Sequence, residues 1–124
     1  MNRNFSNIKH LEQNYNPRES VINFQDYLKE TLNKSIKAET ELSGYRDIQY
    51  GKGPLQKLDI FESKGKKNKP IHIFIHGGYW RALDKSYHTH MAKPFVEKEI
   101  CFFNINYELC PSVNLSEIKN QIIK

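Results

Sequence analysis

Glycine runs out early in this sequence. There are six glycines among 124 residues, and none lies beyond Gly78. The chain therefore has no G-x-S-x-G, the strained strand-to-helix elbow that exposes a nucleophilic serine. Cysteine is scarce too. The two that occur, Cys101 and Cys110, are spaced neither as CxxC nor as a disulfide framework. That spacing predicts a reduced, cytoplasmic setting. Long apolar runs are missing, and no stretch approaches the length needed to cross a bilayer. The opening "MNRNFSNIKHLEQNYNP" has no apolar core of the kind a signal peptide carries. A disulfide-stapled secreted scaffold and a helical membrane protein are both excluded as expectations, and no membrane partner is expected.

What is present is globular in character. Charged residues make up 27% and hydrophobic ones 38%, and the length of 124 residues is enough for one domain but not two. The net charge of +5 suggests a polyanion partner until its distribution is considered. Lys64, Lys66, Lys67 and Lys69 sit together in "KGKKNKP", and without these four the balance falls to about +1. A nucleic-acid groove needs basic residues spread along one face with aromatics between them. One lysine cluster between Gly65 and Pro70 reads as a solvated loop, so no nucleic-acid partner is expected.

Along the chain, residues 1–18 read as an aperiodic, Asn-rich arm, and residues 19–124 as the domain. Pro17 and Ser20 signal a helix start. Val21, Phe24, Leu28, Leu32 and Ile36 recur at helical steps, and Ser43 and Gly44 end the helix. "YRDIQYGKGPLQKLDIFES" then alternates around the turn "GKGP", with Ile48 and Tyr50 on one face and Leu58 and Ile60 on one face. This predicts a hairpin. "PIHIFIHGG" follows as a strand over 71–76, with Ile71, Ile73 and Ile75 on one side and His72, Phe74 and His76 on the other. Bulk on both sides suits a sheet interior. Residues 84–99 read as a helix capped by Asp84 and broken at Pro94. Residues 100–107 form a second apolar strand, and a last helix begins near Leu115 with Asn114 or Ser116 as cap. A strand–helix–strand unit on apolar strands implies a parallel crossover, so the fold class is α/β.

The chemistry concentrates where the strand meets His76-Gly77-Gly78. Ligands bind at the carboxyl edge of open α/β sheets. Glycine there permits positive φ, and neighbouring outward N–H groups make an anion nest. Such a hinge suits negative charge on a carbonyl oxygen.

"HGGYW" resembles the HGGxW motif of kynurenine formamidase (arylformamidase) and of related bacterial esterases in the α/β-hydrolase superfamily. "YNPRESV", "YGKGPLQKLDIF", "FIHGGYWRALDKS" and "NINYELCPSV" are similar to that group in the same order, from about Tyr15 onward. The resemblance implies an α/β-hydrolase fold with strand order beginning 1-2-4-3. It implies oxyanion-hole amides on Gly78 and Tyr79, a turn shaped by Gly77, and a loop ordered by His76. It also implies a Trp80 that packs beneath the loop and lines an acyl or aryl pocket. The substrate class it implies is a carboxylic ester or aryl formamide, N-formylkynurenine among them. No cofactor and no metal are implied. One departure is Glu108, where relatives usually carry arginine.

No catalytic serine, acid or base can be assigned within the chain. In the family these lie beyond the helix that starts near Leu115. The resemblance therefore implies the N-terminal portion of a longer hydrolase, and a truncated or degenerate non-catalytic fragment, acting if at all as an interaction module or half of a split enzyme, is the alternative. Strand 71–76 would then be an uncharged open edge, predicting self-association. Other residues read as structural. His72, His76, His88 and His90 lack a defined third metal ligand. Ser86 has no elbow, Asp59 and Asp84 fall on a strand and a helix start, Cys101 begins a buried strand, and Cys110 lies in a loop.

Overall fold

The computed structural model describes residues 8–62, 65 and 68–123. Most of the lysine-rich loop, including Lys64, Lys66 and Lys67, lies outside the described residues. The chain divides into two compact units, Met1–Glu30 and Thr31–Lys124, with the boundary inside one helix.

The stretch read as an aperiodic arm, residues 1–18, is mostly helical where it is described. The first unit contains α1 (Ile8–Tyr15) and the single turn α2 (Pro17–Ser20). Asn16 caps α2 by accepting from the Arg18 N–H, and Pro17 stands at the first helical position, where its missing N–H costs nothing. The long helix starts later than Pro17 suggests. Asn23, at φ 60°, breaks the chain before α3 (Phe24–Glu41).

The apolar stripe on α3 also shifts. The buried residues are the small ones, Ser35 and Ala38, while Ile36 is exposed. Ser35 faces inward because it has a partner. Its hydroxyl lies 2.9 Å from His90 Nδ1 and accepts from the His90 N–H at 3.3 Å.

The second unit is built on a four-stranded sheet. Its strands are β1 (Gly44–Gln49), β2 (Lys57–Phe61), β3 (Ile71–Ile75) and β4 (Cys101–Ile105), in the order β1-β2-β4-β3. The predicted hairpin is there, with Ile48 opposite Leu58, and a bulge sits between Tyr45 and Ile48. β3 and β4 run parallel, as the crossover requires, pairing Ile73 with Phe103. β3 is therefore an edge strand, not an interior one.

The helix expected over 84–99 is broken into pieces. Two 3₁₀ turns (Lys85–Tyr87 and Thr89–Ala92) lead into the short α4 (Lys93–Val96), with Pro94 at its start. Proline cannot continue a helix from before it, so the kink falls where expected. The last helix, α5 (Leu115–Ile122), is capped by Asn114 through a reciprocal box with Glu117.

The core lies on one face of the sheet. Phe61, Ala92 and Phe102 are fully buried, with Phe74, Phe95 and Val96 packed on them. On β2 the buried residues are Asp59 and Phe61, not Leu58 and Ile60. A charged residue can point inward there because Lys85 meets it. The ammonium lies 2.7 and 2.8 Å from the two Asp59 carboxylate oxygens and 3.0 Å from Asp47. Burial works against the Lys85 charge, but hydrogen bonds and attraction from both carboxylates outweigh it and hold its pKa above the ordinary value.

Candidate active site: the loop after β3

The parallel β3–β4 pair delivers the carboxyl end of β3 to His76, and the chain turns sharply there. Gly78 has φ +116°, and a Cβ at that position would run into the Ala82 carbonyl, so glycine is required. Gly77 shows no such need, because a Cβ there would meet open space. Tyr79 and Trp80 follow at φ 53° and 56°. Left-handed residues that are not glycine each cost on the order of 1–3 kcal/mol and persist only where surroundings hold them.

Four hydrogen bonds do the holding. Arg81 N–H donates to the Gly78 carbonyl at 3.2 Å, and Cys110 N–H donates to the Trp80 carbonyl at 2.8 Å. The Tyr107 hydroxyl donates to the His76 carbonyl at 2.7 Å. The His76 ring, through Nδ1, bonds the Gly77 carbonyl at 2.7 Å. Tyr107 stacks on that ring at 4.4 Å.

Trp80 does not pack beneath the loop as the resemblance implies, though it does line a cavity. Tyr79 is 66% exposed and Trp80 49% exposed, and they meet edge to face at 6.3 Å. Tyr107 and the backbone bonds seat the loop instead. Trp80 lines an open, largely apolar cavity of 610 Å³ with Ile75, Leu115, Ile118 and Ile122. Among the described residues, nothing accepts from the N–H of Gly78 or of Tyr79.

Beneath the loop lies a polar network with no local signature in the sequence. His76 Nε2 is 2.9 Å from the Asn106 side-chain oxygen. Asn106 Nδ2 donates to Asp84 at 2.6 Å. Asp84 caps its 3₁₀ turn by accepting from the Ser86 N–H at 2.8 Å. Burial opposes the Asp84 charge, yet the bonds from Ser86 and Asn106 and the nearby Lys85 hold its pKa below the ordinary value. Asn106 is thus a site residue that sequence reasoning missed, because partners 22 and 30 positions away leave no local pattern.

The remaining candidates fall into place around this network. His88 packs against Phe74 at 5.2 Å and His76 at 6.0 Å. Its Nε2 is buried without a partner, and burial, then the neighbouring His76 and His90, push its pKa down to about 4. His72 stacks between Phe95 and Phe102, a packing role. Ser86 is exposed and contributes its backbone N–H to the Asp84 cap. Asp59 belongs to the buried ion pair. Cys101 and Cys110 are free and half-buried.

Glu108 gains a clear role. Its carboxylate accepts from the Leu55 N–H at 2.8 Å, tying the hairpin turn to the exit of β4. With burial as the larger cause, Glu108 also raises the Tyr50 pKa to about 12. Among the described residues, no three His, Cys, Asp or Glu side chains converge as a metal site would require. No helix among them is long and apolar enough to cross a membrane.

The strand order, the parallel β3–β4 crossover and the glycine hinge after β3 define the N-terminal portion of an α/β-hydrolase fold. The chain is similar in sequence to kynurenine formamidases. It is 29% identical to kynurenine formamidase of Drosophila melanogaster over 91% of its own length and 42% of that protein's. It is 31% identical to the Salmo salar kynurenine formamidase over 61% of its length and 26% of that protein's. The chain thus spans less than half the length of these relatives. Among solved structures, a protein provisionally assigned as a thioesterase from Silicibacter sp. TM1040 superposes with a TM-score of 0.80. Identity there is 32%, over 90% of this chain and 43% of that one. Esterase B of Lactobacillus rhamnosis shares the fold, with a TM-score of 0.61 at 19% identity over 79% of this chain and 35% of that one. No protein-family model matches the sequence.

Proposed function

We propose that this chain supplies the oxyanion-hole half of a serine hydrolase acting on a carboxylic ester or an aryl formamide, N-formylkynurenine among the candidates. One observation carries the reading: the uncommitted Gly78 and Tyr79 amides at the carboxyl end of β3. Similarity to kynurenine formamidases and to a protein provisionally assigned as a thioesterase supports it. In this mechanism a serine attacks the carbonyl carbon, and the carbonyl oxygen takes up the electron pair. The two N–H groups then hold that oxygen as the leaving group departs and an acyl-enzyme forms. The serine, its base and its acid would come from outside these 124 residues, so the chain by itself is expected to be inactive. The apolar cavity beside Trp80 would take the acyl or aryl group. Two free cysteines suit a cytoplasmic enzyme.

The test is a reading of the coding sequence beyond Lys124 followed by an assay. The account expects an in-frame G-x-S-x-G, and an extended protein that hydrolyses p-nitrophenyl acetate or N-formylkynurenine. A stop codon with no downstream complement, or an extended protein inert on both substrates, would overturn it. The alternative is a non-catalytic interaction module. The exposed β3 edge favours that reading, because its isoleucines face solvent and the strand carries no charge.

A further inference from the structure

The network beneath the hinge fixes more than the position of a loop. The Gly77 carbonyl can only accept, so His76 Nδ1, at 2.7 Å, must carry a proton. The other ring nitrogen, Nε2, faces the Asn106 side-chain oxygen at 2.9 Å. That amide cannot be turned over. Its Nδ2 donates to the Asp84 carboxylate at 2.6 Å, and the reversed amide would press two oxygens together. Asn106 therefore presents an acceptor, and Nε2 must carry a proton as well. A neutral imidazole has one N–H, and this site uses two.

We infer that His76 is held as a two-proton imidazolium beneath the oxyanion loop, with Asn106 and Asp84 as positioning residues that impose this state. The inference rests on the reading of Gly78 and Tyr79 as anion-binding amides and deepens it. A fixed positive ring directly before those amides adds its field to theirs, at the point where negative charge develops. The surrounding groups are compatible. The Asp84 carboxylate balances the charge through Asn106. Lys85 turns its ammonium to Asp59 and Asp47. Tyr107 offers its ring face and spends its hydroxyl on the His76 carbonyl. Lys119 shares the cavity lining with His76. His88, stacked at 6.0 Å, is kept neutral chiefly by its own burial.

The test is nitrogen NMR of the chain labelled at histidine, in neutral buffer. The expected result is that both His76 ring nitrogens resonate as protonated, with two slowly exchanging N–H protons. A single bare nitrogen on His76 would overturn the inference. Asn106→Leu should return His76 to a one-proton tautomer, while Asn106→Asp, which keeps an acceptor, should retain both protons. A merely structural Asn106 would let both variants disturb Trp80 fluorescence, a clean reporter as the one tryptophan, without altering the ring. If Asn106→Leu does not fold, the unsubstituted chain and Asn106→Asp still decide the matter. The spectrum reads the ring directly, so hydrolytic inactivity of an extended protein would count against the oxyanion reading and not against this one.

Discussion

The two faces of the sheet come from the same strands and are finished to different degrees. On one face Phe61, Phe102 and Asn104 are fully buried, and Asp59 meets Lys85 in an ion pair almost free of water. On the other, Ile71, Ile73 and Ile75 are 58%, 57% and 47% exposed, in register with Cys101, Phe103 and Ile105. The open face is the more apolar of the two in sequence, since the finished one carries Asp59 and Asn104, so hydrophobicity does not decide which is covered. What separates them is a partner layer. The 3₁₀ turns and α4 cover the first face, while among the described residues Ile71 and Ile73 stay exposed and Ile75 faces α5 only across the open cavity. The lesson is that the finished face also carries the polar network that builds the hinge, whereas the isoleucines of the open face remain about half exposed.

The largest effect should come from breaking the finished face. Asp59→Ala leaves the Lys85 ammonium buried without its main partner, and unfolding in urea should show a loss of about 3–5 kcal/mol. A loss near zero would mean that water reaches Lys85 freely.

A smaller, pH-dependent effect should come from His88. Burial pushes its pKa down to about 4, below the ordinary 6.5 of histidine, so the neutral ring is favoured in the fold. Its contribution is complete above pH 6.5 and is lost as pH falls from there toward 4. Thermal melts should show stability declining across that window, and His88→Phe should flatten the decline. The smallest effect belongs to the open face, where Ile73→Thr should change stability by no more than about 0.5 kcal/mol. A large loss there would show that the face is covered in solution and would erase the contrast.

Much of the architecture was legible in the sequence. Alternation around "GKGP", apolar strands on either side of a helical stretch, and the resemblance around "HGGYW" led to the α/β class and the β1-β2-β4-β3 order. Three features were not. The inward face of β2 belongs to Asp59 because of Lys85, 26 positions away, and no period records such a pair. The 84–99 helix broke into 3₁₀ turns where Asp84, Lys85 and His88 are engaged by the sheet, which outweighs helical propensity. The arm hid α1, whose residues include none that are buried, so a core-facing stripe was never there to find.

The site divides the same way. The need for glycine at Gly78 follows from the motif and is met in the backbone. The left-handed Tyr79 and Trp80, the seating by Tyr107 and the Asp84–Asn106–His76 network depend on distant partners.

The central claim is that this sheet is complete on one face and open at β3. Sedimentation velocity over a range of concentrations tests it most directly. The account predicts concentration-dependent association of the chain, abolished by Ile73→Lys, whose charge would block pairing along the strand. A stable monomer at every concentration, with a cooperative melt, would contradict it.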